Sequence, residues 1–98
     1  MSDVDRYIIA HLNSMSFNDK DVIDVPCKNG TSFLIEKRKG EYKVITCKKN
    51  VTFCILDGNI RIISYNNLRN MNFYVERAVK SYLVATFSKR KRSSIYVW

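Results

Sequence analysis

Residues 32–64 read SFLIEKRKGEYKVITCKKNVTFCILDGNIRIIS, and this stretch decides the predicted fold. Apolar and polar residues alternate through much of it, which is typical of β-strands with one buried face. Turn sequences interrupt the alternation, and the Asp57-Gly58 pair is a strong hairpin signal because such a turn needs a positive φ. We therefore predict four antiparallel strands, at 32–36, 41–47, 51–56 and 59–64.

The residues before this stretch predict a helix and an acidic connector. Apolar residues recur every three or four positions over 3–14, and Ser2 can cap the first turn, so we predict a helix there. Residues 16–30 are rich in turn formers and acids, and their few apolar residues could form a short strand or simply pack down. Pro26 has no N–H, so any strand ending there should lie at the edge of a sheet.

The residues after the stretch predict a second helix and a closing hairpin. Helical spacing of apolar residues covers 67–80, and alternation returns over 82–87 and 94–98 on either side of a charged turn. The predicted fold class is α+β, with an N-terminal helix, a four-stranded antiparallel sheet, a second helix and a C-terminal hairpin. We expect one domain over 1–98, since domains commonly contain about 100–150 residues.

The net charge of +8 on 98 residues is unevenly distributed. Residues 1–27 contain five acids and two bases, whereas residues 28–98 contain fifteen bases and four acids. The predicted domain therefore has a helix up to residue 15, an acidic connector over 16–30 and a basic remainder over 31–98. Such a basic surface attracts polyanions, with nucleic acid first and an anionic membrane or an acidic protein second. The alternative is that the charge serves solubility alone.

Other sequence features argue against a membrane protein and against an enzyme. Apolar runs are much shorter than the ~20 residues of a membrane span. Cys27, Cys47 and Cys54 form no C-x-x-C pair, so neither a zinc ribbon nor a thioredoxin-type site is supported. Their odd number and the apolar surroundings of Cys47 and Cys54 favour unpaired thiols in a reducing compartment. His11 is the single histidine, the glycines fit turns, and no metal-ligand spacing is visible. We expect no catalytic residues, no metal and no cofactor, although many catalytic sites lack motifs and a metal-dependent nuclease stays a minor alternative.

Basic residues concentrate at the predicted hairpin tips, and this points to nucleic-acid binding. Lysines and arginines at three tips of one sheet, 37–39, 48–49 and 89–92, could clamp phosphates and release condensed counterions. Hairpin tips are normally polar, however, and lysine at a sheet edge also discourages aggregation. The candidate nucleic-acid-binding residues, which include two on the strands themselves, are Lys37, Arg38, Lys39, Lys43, Lys48, Lys49, Arg61, Lys89, Arg90, Lys91 and Arg92.

The order of elements, together with the sequence GNIRIISY at 58–65, resembles the double-wing DNA-binding domain of the MotA-type phage activators of middle genes. The resemblance covers most of the chain as topology but only these residues as close sequence. It implies a phage-encoded domain in the bacterial host cytoplasm that lays its sheet and wings on double-stranded DNA. The separate domain with which those activators engage the RNA polymerase σ subunit has no counterpart here, so co-activation is not expected.

The sequence thus supports two main hypotheses of different classes. The first is a small DNA-binding protein, either a transcription regulator or a host-takeover factor, in which hairpin tips contact phosphates and sheet side chains read bases. The second is an interaction module that inhibits or redirects an acidic host protein of transcription or defence, such as an RNA polymerase component.

Overall fold

The computed structural model describes residues 2–16 and 18–91, which form two helices and one sheet. Each strand pairs antiparallel with the next one along the chain, so the spatial order equals the sequence order. The predicted α+β class is confirmed. The elements are α1 Asp3–Met15, β1 Val22–Pro26, β2 Ser32–Arg38, β3 Glu41–Ile45, β4 Asn50–Leu56, β5 Asn59–Tyr65 and α2 Phe73–Ser88.

Both helices share one hydrophobic core with one face of the sheet. Each strand contributes one or two buried residues to this core, as do Ile8 and Leu12 of α1 and Leu83 and Phe87 of α2. The helices run parallel, because Asp5 near the start of α1 pairs with Lys80 and residues near the end of α1 contact the end of α2. The other face of the sheet is covered by neither helix.

The predicted N-terminal helix is confirmed, and its cap is the expected one. Ser2 has an extended backbone, and its hydroxyl accepts a hydrogen bond from the Asp5 backbone N–H at 3.1 Å. This bond satisfies one of the N–H groups that a helix start leaves without an internal partner. Asp3 and Asp5 lie in the first turn, where their negative charges interact favourably with the positive end of the helix dipole and stabilise the helix.

The predicted closing hairpin is wrong, and the predicted double-wing-like arrangement of elements, which includes this hairpin, is therefore wrong as well. Residues 82–87 belong to α2, which starts later than predicted, with Asn72 as its N-cap. The burial pattern explains the difference: Leu83, Thr86 and Phe87 are buried while Ala85 is exposed, which fits one face of a helix, whereas a strand would bury Ala85 together with Leu83 and Phe87. The second predicted hairpin strand, 94–98, lies outside the described residues.

The prediction of four strands is also wrong, because part of the acidic connector forms β1 at the edge of the sheet. The Cys27 N–H bonds toward β2, so Pro26 faces the free edge, where its missing N–H breaks no bond of the sheet. The edge carbonyl of Pro26 instead accepts a bond of 2.7 Å from the Lys91 N–H. The segment after α2 is thereby attached beside β1.

Candidate nucleic-acid interface

Consecutive turns of this sheet lie at opposite ends, because each strand reverses the chain direction. One end, which we call the basic end, consists of the loops 27–31, 46–49 and 66–72. Residues 89–91 join it, since the Lys28 N–H donates to the Lys89 carbonyl at 2.8 Å. The opposite end consists of residues 18–21, 39–40 and 57–58.

The two ends differ in charge. The opposite end has two bases, Lys20 and Lys39, and three acids, Asp19, Asp21 and Asp57. The basic end has seven bases and no acid. Positive charge on this molecule is therefore concentrated on one side of the fold. The seven bases are Lys28, Lys48, Lys49, Arg69, Lys89, Arg90 and Lys91.

The spacing of the loops at the basic end follows from the spacing of the strands. Neighbouring strands lie about 4.8 Å apart, so the loops 27–31 and 46–49, which are two strands apart, have centres separated by roughly 10 Å. The five strands together span about 19 Å. The DNA major groove is about 12 Å wide. Loops at these separations can contact phosphates on both sides of one groove.

The first predicted tip, 37–39, lies away from the basic end. Arg38 forms an ion pair with Glu36, and the Lys39 backbone N–H donates to Asp19 Oδ1 at 2.7 Å. The ammonium of Lys37 lies 5.4 Å from the centre of the Tyr42 ring. The acidic connector thus folds against this tip, and the three predicted tips do not form one surface.

Lys43 and Arg61 lie on the uncovered face of the sheet. Lys43 is the register partner of Glu36 in β2, and Arg61 is that of Cys54 in β4. Strand alternation places as many acids as bases on this face, so its net charge is zero and it offers no preference for a polyanion. The charged residues of the face are Asp24, Glu36, Arg38, Glu41, Lys43 and Arg61.

Lys48 and Lys49 both lie at the basic end but differ in how they are held. Lys48 is exposed, whereas the Lys49 ammonium lies 4.9 Å from the centre of the Tyr82 ring and 5.6 Å from that of Tyr65. A hydrogen bond to Tyr65 raises the pKa of Lys49. The Tyr82 hydroxyl lies 2.7 Å from Thr46 Oγ1. Lys49 is therefore folded onto the protein, and Lys48 extends from it.

The last predicted tip is the segment that directly follows α2, and its basic residues also differ in how much of each side chain is exposed. Arg90 is half-buried, and its guanidinium donates to Ser14 Oγ at 2.6 Å. Lys89 and Lys91 on either side are exposed. Arg92, the last member of the predicted set, lies outside the described residues. The segment therefore presents two exposed ammonium groups beside Lys28.

Sequence reasoning missed Lys28 and Arg69, which complete the basic end. A signal was present: in an antiparallel sheet of sequential strands, every second turn lies at the same end. Lys28 was missed because, without β1, residues 27–31 belonged to a connector and were not considered as a hairpin loop. The exposed aromatic residues at the start of α2, Phe73 and Tyr74, were also not singled out as a pair.

The described geometry defines a small α+β domain with one strongly basic end. No family model, curated protein or solved structure matches the chain. Within residues 2–16 and 18–91, no group of three or more His, Cys, Asp or Glu side chains is placed to hold a metal ion. In the same residues, neither helix is long and apolar enough to cross a membrane.

Proposed function

We propose that this protein binds double-stranded DNA through its basic end, as a binding protein rather than an enzyme. The observation that supports the proposal is the seven bases without an acid at that end, beside a neutral sheet face and an opposite end with more acids than bases. The loops lie at separations comparable to a DNA groove, so phosphates on both sides can be contacted together. A role in transcription or host takeover stays a prediction from the resemblance.

The contacts expected at the basic end follow from how its bases are held. Lys49 lies on two aromatic rings and Arg90 is bonded to Ser14, which leaves five bases for phosphates. With five contacts, log K should fall with log salt at a slope of about −4.5. These contacts carry no sequence information, so they position the protein on DNA. The five bases are Lys28, Lys48, Arg69, Lys89 and Lys91.

Two double variants of equal charge test the proposal. Lys28→Gln with Lys48→Gln removes two bases from the basic end, and Lys20→Gln with Lys39→Gln removes two exposed bases from the opposite end. Gel shift of a duplex over a salt series should give a slope reduced by about 1.8 for the first variant and an unchanged slope for the second. An equal loss in both variants, or no duplex binding by the folded wild type in dilute salt, would refute the proposal.

A second candidate function, an interaction module for a protein partner, has one observation in its favour. The uncovered sheet face is neutral and carries Leu34 and Leu56 with 37% and 58% of their surface exposed. Pull-down from nuclease-treated lysate distinguishes the two functions. A stoichiometric protein partner that survives nuclease and is lost with Leu56→Ser would favour this candidate.

The proposed setting, a reducing cytoplasm, is a prediction from the sequence, and the three free thiols of Cys27, Cys47 and Cys54 are compatible with it. The minor alternative of a nuclease has a simple test: DNA incubated with the protein and magnesium or manganese should stay intact if the protein only binds. Metal-dependent cleavage that persists after repeated purification would instead support the nuclease.

A further inference from the structure

Two aromatic side chains at the start of α2 are almost fully in water. Phe73 is 71% exposed and Tyr74 is 77% exposed, and their rings lie edge to face with centres 5.7 Å apart. The phenylalanines of the core, by contrast, are buried, with Phe53 and Phe87 completely so. A pair of large rings left outside the core provides an apolar surface that neither helix nor the sheet covers.

The charges around this pair are positive. Phe73 directly follows the loop 66–72 of the basic end, with Arg69 four residues before it and Arg77 one helical turn after it. The nearest acid in sequence, Glu76, lies 3.8 Å from the Lys80 ammonium, which it shares with Asp5, so the two arginines outnumber one partly paired carboxylate. The aromatic pair therefore adjoins cations that can contact phosphates.

The pair also lies at one end of a basic row. Helix α2 has 16 residues and is about 24 Å long, at 1.5 Å per residue. It leads from Phe73 to Lys89 and Lys91, which adjoin Lys28 across the backbone bond already described. A nucleic acid bound along the basic end would therefore meet exposed ammonium groups near one end of α2 and exposed rings at the other.

We infer that Phe73 and Tyr74 form a stacking platform for unpaired nucleobases, so that the preferred ligand is a DNA duplex with a single-stranded tail. This inference rests on the proposed function, because the basic end must bind the adjoining duplex. Bases within a duplex are stacked on each other and offer no free face to a protein ring. Unpaired bases do offer one, and aromatic side chains bind them with little regard to sequence.

Fluorescence anisotropy with three labelled DNA probes tests the inference. The probes are a blunt duplex, the same duplex with a tail of about six nucleotides, and the duplex with an abasic tail of equal length, which keeps the phosphates but has no bases. For the wild type we expect the tail to tighten binding about 5- to 150-fold for each stacked base. The abasic tail should give a much smaller gain.

The variant Phe73→Ala with Tyr74→Ala should lose the gain from the tail and keep the wild-type affinity for the blunt duplex. Both side chains are exposed, so the variant is expected to fold, and circular dichroism checks this. Equal gains from the normal and abasic tails, or weakened blunt-duplex binding by the variant, would overturn the inference. So would a protein partner lost in the variant without any change in tail binding.

The proposed function has its own readout in this experiment. Lys28→Gln with Lys48→Gln should weaken binding to all three probes by similar factors, because it removes phosphate contacts only. Blunt-duplex binding without a gain from the tail would refute the platform and leave the proposed function standing. Absence of binding to every probe would refute both.

Discussion

Replacing Asp5 with Asn tests whether the ion pair between the two helices stabilises the fold. Asp5 is only 3% exposed, and its Oδ1 lies 3.1 Å from the ammonium of Lys80, whose side chain is 18% exposed. At an effective dielectric constant of about 20, two charges at this distance attract by about 5 kcal/mol before the cost of desolvation. Among the described residues, Lys80 is the group that faces Asp5 Oδ1, which accepts no other hydrogen bond there, so Lys80 is its compensating charge.

The magnitude follows from what each substitution leaves behind. Removing one partner of a buried pair costs about 3–5 kcal/mol. We expect Asp5→Asn to lie near the lower limit, because Glu76 remains 3.8 Å from Lys80. Lys80→Met should cost more, about 4 kcal/mol, since it leaves a buried carboxylate without a cation. The double variant should be less destabilised than the sum of the two, by about 2 kcal/mol.

Urea unfolding at neutral pH, followed by circular dichroism, provides the measurement. With a slope of about 1.5 kcal/mol/M for a domain of this size, Asp5→Asn should lower the midpoint by about 2 M. Glu76→Gln is the matched control on the same lysine, and its partly exposed pair should cost less than about 1 kcal/mol. Stability of Asp5→Asn within about 0.5 kcal/mol of the wild type, or additive effects in the double variant, would refute the reasoning.

Three further predictions concern single side chains. Burial, and then the charge of Arg90, lower the pKa of His11 in the folded protein, so the unfolded chain binds the proton at a higher pH. The free energy of unfolding should therefore fall as the pH drops below about 6.5 and become constant below the folded-state pKa of His11. The variant His11→Gln should reduce this pH dependence in urea titrations at several pH values. Phe53→Ala should destabilise by about 3–5 kcal/mol in chemical unfolding, because Phe53 is completely buried; a loss below about 1 kcal/mol would contradict its place in the core. Tyr82→Phe removes the hydroxyl that lies 2.7 Å from Thr46 Oγ1 and should cost about 1 kcal/mol, with duplex binding unchanged.

The parts of the fold that could be predicted were those with one dominant local signal. The first helix has a capping serine and a regular apolar stripe, and the Asp57-Gly58 turn follows from the positive φ that both residues adopt, 50° and 76°. Residues 82–87 carried two signals at once, since their side chains can be read as alternating while Val79, Leu83 and Thr86 follow the four- and three-residue spacing of a helix. Six residues are too few to separate the two periods, and burial against the core decided for the helix.

The edge strand β1 could not be assigned from its own residues. It has only five residues, one of them Pro26, and its sequence neighbours are turn formers. β1 is a strand because its backbone pairs with that of β2, and a short apolar run does not reveal such a partner by itself. The distribution of the basic residues, by contrast, was available from the predicted strands, because the tips 37–39 and 48–49 are consecutive turns and consecutive turns of an antiparallel sheet lie at opposite ends.

The unequal ends of the sheet give the molecule an electric dipole moment in addition to its net charge. In the field of a polyanion, such a molecule experiences a torque before contact and turns its positive pole toward the other charges. Encounters then begin in a restricted range of orientations, which raises the association rate constant at low ionic strength. Salt should therefore slow association as well as weaken the final complex, and Lys28→Gln with Lys48→Gln should slow it more than the matched pair Lys20→Gln with Lys39→Gln.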